Sequence, residues 1–169
     1  MAVRIVHSHN DLRRVRCGLG GMIRQPLCRW IINGLASHRV GVSRSAATSL
    51  YGDKALDSGG AEVVANVVPL DRFEQPYERQ KLRQSLGLCD DDRVIGHVGH
   101  FNDQKNQHRT LRIAAGLMRD DARLRLLLVG DGPRRGEIER AARTVGVAER
   151  VIFTGTRTDV PDLMRAAMD

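Results

Sequence analysis

The residues whose types and spacing could do chemistry lie at three glycine-bearing turns. These are Gly99-His100 with Lys105 shortly after, Gly130-Asp131-Gly132, and Thr154-Gly155 with Arg157. Glycine lets backbone amides approach a ligand closely, and a lysine ammonium is a compact charge that suits a phosphate oxygen. The set points to phosphate or nucleotide binding. His7 and His9 form a second candidate pair near the start of the chain. They enter a crevice if they follow a strand, or else they are surface loop histidines bonded locally; without a third ligand they make no metal site.

The elements that must position these residues are legible in the apolar pattern. Val94, Ile95 and Val98 form a short run that stops at Gly99, followed by a polar loop over 100–106. From Leu111 the apolar residues recur at Ala114, Ala115, Leu117 and Met118, which is helical spacing. Leu124, Leu126, Leu127, Leu128 and Val129 read as a second buried strand, and Ile138, Ala141, Ala142 and Val145 as its helix. Pro133 is expected in the first turn of that helix and Gly146 at its stop. A third strand, Val151-Ile152-Phe153, ends at Thr154-Gly155, after which Asp159 is expected to cap a helix carrying Val160, Leu163, Met164 and Ala167.

Three consecutive strand–helix units imply a right-handed parallel sheet with helices on its faces. Loops 100–106, 131–133 and 154–159 should then converge on one crevice at the carboxyl ends of the strands, with Lys105 against a phosphate. Asp131 reads as a turn residue rather than a catalytic acid. Arg134 and Arg135 oppose the dipole at a helix start, so helix stability does not explain them, and they rank below Lys105 as phosphate contacts.

The ordered set VGHF, KN, LLLVGDGPRR and VIFTGTRTDVPDLM resembles the donor-binding half of retaining glycosyltransferases of the two-domain GT-B type, the group often called family 4. Upstream, RIVHSHN, RVGVSRSAATSLYG and VVANVVPLDRF are similar to the end of that family's acceptor-side domain and the crossover. The resemblance covers nearly the whole chain, and the order of the pieces is more specific than any one piece. It implies a GT-B-like α/β fold of parallel Rossmann-like sheets, incomplete here. Residues 1–70 would be the last part of the acceptor-side domain, and 71–169 the first part of the nucleotide-sugar domain.

The activity implied is transfer of a sugar from a nucleotide-sugar, UDP-linked, to a glycan or lipid-linked acceptor with retention. In the resemblance Gly99, His100 and Lys105 hold the donor phosphates, and Gly130, Asp131, Gly132, Thr154, Gly155 and Arg157 lie in the donor nucleotide and sugar loops. One of His7 and His9 matches a histidine beside the acceptor and the transferred sugar. No metal is expected, since cations and helix N-termini stabilise the departing diphosphate.

Two departures stand out. His100 replaces the usual arginine, making one cation pH-dependent, and Val67 follows Asn66 where glycine is usual, so a strained turn is expected there. A P-S-x-x-E-G segment and an E-x7-E pair would follow in the family beyond Asp169. A chain of 169 residues is also short for two domains. The expectation is a fragment with weak or no nucleotide-sugar binding alone, and with unpaired sheet edges that favour aggregation.

Composition, 41% hydrophobic and 28% charged, suits a soluble protein with a core. No apolar run approaches a membrane span, and His7, His9 and Asn10 interrupt the only run that could serve a signal peptide. The expected location is cytoplasmic. Cys17, Cys28 and Cys89 have no ligand-like spacing and read as free buried thiols.

Of the net charge of +7, the whole excess lies in residues 1–50, which carry eight arginines against Asp11. Leu12, Val15, Leu19, Met22, Ile23, Leu27, Trp30 and Ile31 follow helical spacing there, among Arg13, Arg14, Arg16, Arg24 and Arg29. A basic amphipathic helix suits an anionic membrane surface, here the inner face, as readily as a solvated core helix. Gly18, Gly20, Gly21 and Pro26 argue against one continuous helix. A GT-B epimerase would share the architecture, but its carboxylate-rich acid/base set is missing. A dinucleotide-binding domain lacks its G-x-G-x-x-G spacing. Six aromatic residues offer little stacking surface for nucleic acid.

Overall fold

The computed structural model describes residues 3–11 and 19–168, with side chains left out of account over 19–25. The chain divides into two compact units, Met1–Val68 and Pro69–Asp169.

The first unit has three parallel strands in the order β1 (Ile5–Ser8), β2 (His38–Gly41), β3 (Glu62–Val63). Between β1 and β2 runs helix α1 (Leu19–Leu35); α2 (Arg44–Tyr51) and α3 (Asp53–Asp57) separate β2 from β3. The start of α2 follows from Ser43, whose side chain accepts from the Ala46 amide at 3.1 Å. A Cβ at Gly41 would lie 2.7 Å from the Ala47 Cβ, so only glycine lets α2 sit this close to β2. Ala47, Leu50, Tyr51 and Ala61 are buried with Val6 and Ile32 packed against them. The Tyr51 hydroxyl lies 2.7 Å from the Val6 carbonyl and 3.1 Å from that of Val40, tying α2 to both strands.

Several expectations change in this unit. The first strand runs from Ile5 to Ser8, so His7 lies inside β1 and only His9 follows it. Helix α1 continues through Gly20, Gly21 and Pro26. It is held by Ile32 against the buried cluster and by Arg29 and Asn33, which both donate to the Leu50 carbonyl. No strained turn forms at Asn66-Val67, because among the described residues Asn106 is the only non-glycine with a positive φ. Cys28 and Cys89 are exposed rather than buried, and Cys17 lies outside the described residues.

The second unit opens with the short helices α4 (Asp71–Glu74) and α5 (Arg79–Ser85). It then alternates β4 (Arg93–Val98), α6 (Gln107–Leu117), β5 (Leu124–Val129), α7 (Arg135–Thr144), a 3-10 turn at Ala148–Arg150, β6 (Val151–Gly155) and α8 (Val160–Ala167). The strands are parallel in the order β4-β5-β6, with Ile95 opposite Leu126 and Leu127 opposite Ile152.

Side chains alternate across a strand, so a sheet covered on both faces needs a continuous apolar run. β5 shows this directly. Leu126 and Leu128 join Leu111 and Ala114 of α6, Met118 just past its end, and Ile138 and Ala142 of α7. Leu127 and Val129 join Leu163 of α8, with Leu82 and Leu86 of the α5 region packed alongside. Each such leucine contributes about 1.5–3 kcal/mol through burial. A buried guanidinium closes this second layer. Arg83 donates to the carbonyls of Ala166 at 2.8 Å, Cys89 at 2.7 Å and Asp92 at 2.6 Å.

The helix ends differ in detail from expectation. α7 starts at Arg135, leaving Pro133 ahead of the helix rather than in its first turn, because Pro133 belongs to the turn that carries Gly132. Gly146 does close that helix, at φ 76°. Asp159 holds the N-cap position of α8 without capping it, since Arg157 engages both its carboxylate oxygens at 2.8 and 2.6 Å.

Candidate functional site

The three strand ends of the second unit meet backbone to backbone. The Gly99 amide donates to the Val129 carbonyl at 2.9 Å, and the Gly130 amide to that of Gly155 at 2.8 Å. A Cβ at Gly130 would stand 2.2 Å from the Gly99 oxygen, and one at Gly132 would stand 2.7 Å from the Phe101 oxygen and 2.9 Å from His100 Cε1. Gly130 and Gly132 have φ of 128° and 155°. Glycine is therefore required twice in one turn, by space and by conformation.

The loop after β4 is held from several sides. Phe101 is buried in the core, with its ring 6.3 Å from that of Phe153, and its amide donates to the Asp131 carbonyl at 2.9 Å. The buried Gln107 side chain donates to the His100 carbonyl at 3.0 Å and reaches that of Gly99 at 3.4 Å. Asn106 takes a left-handed conformation, φ 50° and ψ 49°, and its side chain accepts from the Arg109 amide to start α6. Sequence reasoning missed Phe101 and Gln107. The available signal was an aromatic residue inside an otherwise polar loop.

Lys105 sits immediately before that cap. Its side chain folds across Gly99, with Cγ and Cδ 3.3 Å from where a Cβ would be. Among the described residues no carboxylate pairs with its ammonium. An exposed cation, a helix N-terminus and a glycine turn thus share one end of the sheet, which suits an anionic oxygen. His100 is exposed beside Gly132.

The other candidates fall into two groups. Asp131 serves the turn: its carboxylate accepts from the Gly132 amide at 2.7 Å and from Arg135 at 2.9 Å. These two bonds, the amide first, hold its carboxyl below the usual range. Arg135 also pairs with Glu139 at 2.8 Å, and Arg134 with Asp103 at 2.7 Å and Glu137 at 2.6 Å. Both arginines at this helix start are engaged in ion pairs. Arg135 additionally brings its guanidinium within 3.6 Å of the Gly155 Cβ position, so the third strand end is joined to α7. Arg157 is spent on Asp159, and Thr154 Oγ1 donates to the Gly155 carbonyl at 3.0 Å.

In the first unit His7 and His9 are both exposed, with ring centroids 4.3 Å apart and planes inclined by 56°. Of the arginines expected to face a membrane, Arg13, Arg14 and Arg16 lie outside the described residues, as does the side chain of Arg24. Arg29 is half-buried, and its Nε donates to the Leu50 carbonyl at 3.3 Å. It is a packing residue of the unit and not a free surface cation, because α1 lies against the end of α2.

Residues 78–168 match the family model of glycosyl transferases group 1. EpsF of Bacillus subtilis (strain 168), named as a glycosyltransferase, is 30% identical over 166 residues, 96% of this chain and 43% of its own length. The 2-deoxystreptamine glucosyltransferase of Streptomyces kanamyceticus is 31% identical over 82% of this chain and 36% of its own. Among solved structures, HepE of Anabaena in complex with UDP and glucose superposes with a TM-score of 0.76 at 26% identity, covering 98% of this chain and 44% of HepE. The chain spans less than half the length of each of these relatives.

Proposed function

The chain belongs to the glycosyl transferases group 1 family, and we propose that it takes part in transferring a sugar from a UDP-linked donor to a glycan or lipid-linked acceptor with retention at the anomeric carbon. The observation that carries this reading is the junction of the three strand ends, where Lys105 lies over Gly99 at the N-terminus of α6. HepE, of matching fold, is in complex with UDP and glucose.

In this reading the diphosphate rests against Lys105, His100 and the amides around Gly99, and the nucleoside lies along 153–157. As the bond to the anomeric carbon breaks, negative charge develops on the leaving phosphate oxygen, and the fixed cation and amides stabilise it more than the ground state. No metal is needed in this scheme, because protein groups supply the positive charge. His7 and His9 are assigned to the acceptor side.

A cytoplasmic location with a peripheral seat on the inner membrane face belongs to the same reading. Leu27, Trp30, Ile31 and Leu35 are exposed along α1, at the spacing of one helical face. Among the described residues no helix is long and apolar enough to cross a membrane.

The test is saturation-transfer NMR of the chain with UDP at millimolar concentration, where even weak binding registers. Transfer to the nucleotide is expected in the parent and at least about tenfold weaker affinity in Lys105→Met, about 1.4 kcal/mol. Equal affinity in the two proteins would remove Lys105 from the site and the reading with it.

A further inference from the structure

We propose that the solvent side of α6 is a docking surface for an anionic membrane: Arg109 and Arg112, with Arg119 just past the helix end, meet acidic lipid headgroups, and Ile113 and Leu117 enter the layer beneath them. The surface belongs to the second unit alone and is distinct from the exposed face of α1. It does not depend on the nucleotide-sugar reading.

The core fixes which side of α6 faces out. Leu111, Ala114 and Met118 are buried in the cluster around Leu126 and Leu128. The opposite side, carrying Arg109, Arg112, Ile113 and Leu117, is exposed. Ile113 is 55% exposed and Leu117 48%, and they lie four residues apart, so their side chains adjoin. Next to them Asn106, His108, Arg109, Arg112 and Ile113 border an open hollow of about 460 Å³. One occupant of that hollow would meet both cations and an apolar side chain.

The charge pattern selects an anionic occupant. No acid occurs from Gln104 to Arg119, and Asp103, before that stretch, is engaged by Arg134. Among the described residues the side chains of Arg109, Arg112 and Arg119 have no acid or carbonyl partner. On α7, by contrast, Glu137 and Glu139 pair with Arg134 and Arg135. Arg109 lies in the first turn of α6, where the helix dipole disfavours a cation, and the last turn, where the dipole favours one, carries none. Arg109 and Arg112, three residues apart, also repel each other. Helix stability therefore gives no reason for these arginines, whereas a negative partner does. A partner bound by charge alone would leave Ile113 and Leu117 in water, but an anionic bilayer engages both kinds of residue.

The full chain is mixed with vesicles of phosphatidylcholine alone and of phosphatidylcholine with phosphatidylglycerol in equal parts, and bound protein is measured by co-sedimentation. Binding to the anionic vesicles is expected, at least about tenfold weaker in Arg109→Gln/Arg112→Gln and about tenfold weaker in Ile113→Ser/Leu117→Ser. Parent-like binding in either double variant, or equal binding to the two kinds of vesicle, overturns the proposal, even where Leu27→Ser/Trp30→Ser on α1 abolishes binding. Polyglutamate stands for an acidic protein. If it binds the chain as tightly as the anionic vesicles do, and equally tightly in Ile113→Ser/Leu117→Ser, the partner is a protein and the membrane assignment falls. A second measurement reads the site itself. Trp30 is the only tryptophan of the chain, so Ile113→Trp in a Trp30→Phe background reports on α6; its emission is expected to move to shorter wavelength on the anionic vesicles, and unshifted emission overturns the proposal. UDP binding is read separately, so failure on vesicles leaves the nucleotide-sugar reading standing, and failure to bind UDP leaves this surface standing.

Discussion

Gly130→Ala adds one methyl group at the point where the three strand ends meet. The new Cβ would lie 2.2 Å from the Gly99 oxygen and 3.0 Å from the Gly99 carbon, so the ends of β4 and β5 must separate by about 1 Å to restore ordinary contact. The residue must also keep φ near 128°, a conformation that costs a non-glycine residue on the order of 1–3 kcal/mol. Overpacking against backbone adds about 1–3 kcal/mol, for a total of about 3 kcal/mol or more. In a unit of about 100 residues each kcal/mol moves Tm by about 4–8 °C, which predicts a fall of about 12 °C or more. Gly136→Ala is the control. It makes the same chemical change inside α7, where the Cβ meets only the flexible end of Arg140 at 3.5 Å, and should stabilise by about 0.5–1 kcal/mol through helix propensity. Calorimetric melts of both variants check the pair. A Gly130→Ala protein melting within about 4 °C of the parent would refute the claim that glycine is sterically required there.

Replacing Arg83 by methionine keeps the stem but strips donors from the carbonyls of Ala166, Cys89 and Asp92; a loss of about 3 kcal/mol is expected in urea unfolding, and a loss under 1 kcal/mol would show that water replaces the guanidinium. Asp131 has its carboxyl depressed by the Gly132 amide and Arg135, so its stabilising effect is present above the unfolded value of about 4 and is lost as pH falls through the lower folded value. Asp131→Asn should therefore flatten the acid limb of urea midpoints measured below about pH 4, and identical limbs would count against the turn role. If the proposed transfer holds, UDP release in the presence of donor and acceptor is expected to be unchanged by EDTA; loss of activity restored by a divalent cation would overturn the metal-free scheme.

The second unit was largely legible because its strands are buried on both faces and so read as unbroken apolar runs. Leu124 to Val129 sits in β5 as expected, and Gly146 closes α7 where the pattern stops. Element ends were less legible. Pro133 and Asp159 satisfy local rules for helix starts, yet Pro133 belongs to a turn that brings Gly132 against Phe101, and Asp159 is claimed by Arg157. The end of β1 was hidden for a similar reason, since pairing of His7 with Val40 of β2 carries the strand past its apolar residues.

By itself the amino-acid order determined the alternation of strand and helix, the glycine turns, the family and the short list containing Gly99, His100 and Lys105, because these depend on local periodicity and residue type. Only the tertiary structure decided which of them lie together. Gly130 and Gly99 are far apart in the chain but within touching distance in space, Arg134 and Arg135 pair with acids, and His97 meets Thr110 across two elements. Such contacts arise from which loops share one end of a sheet, and that is a property of the packed layers that no local pattern encodes.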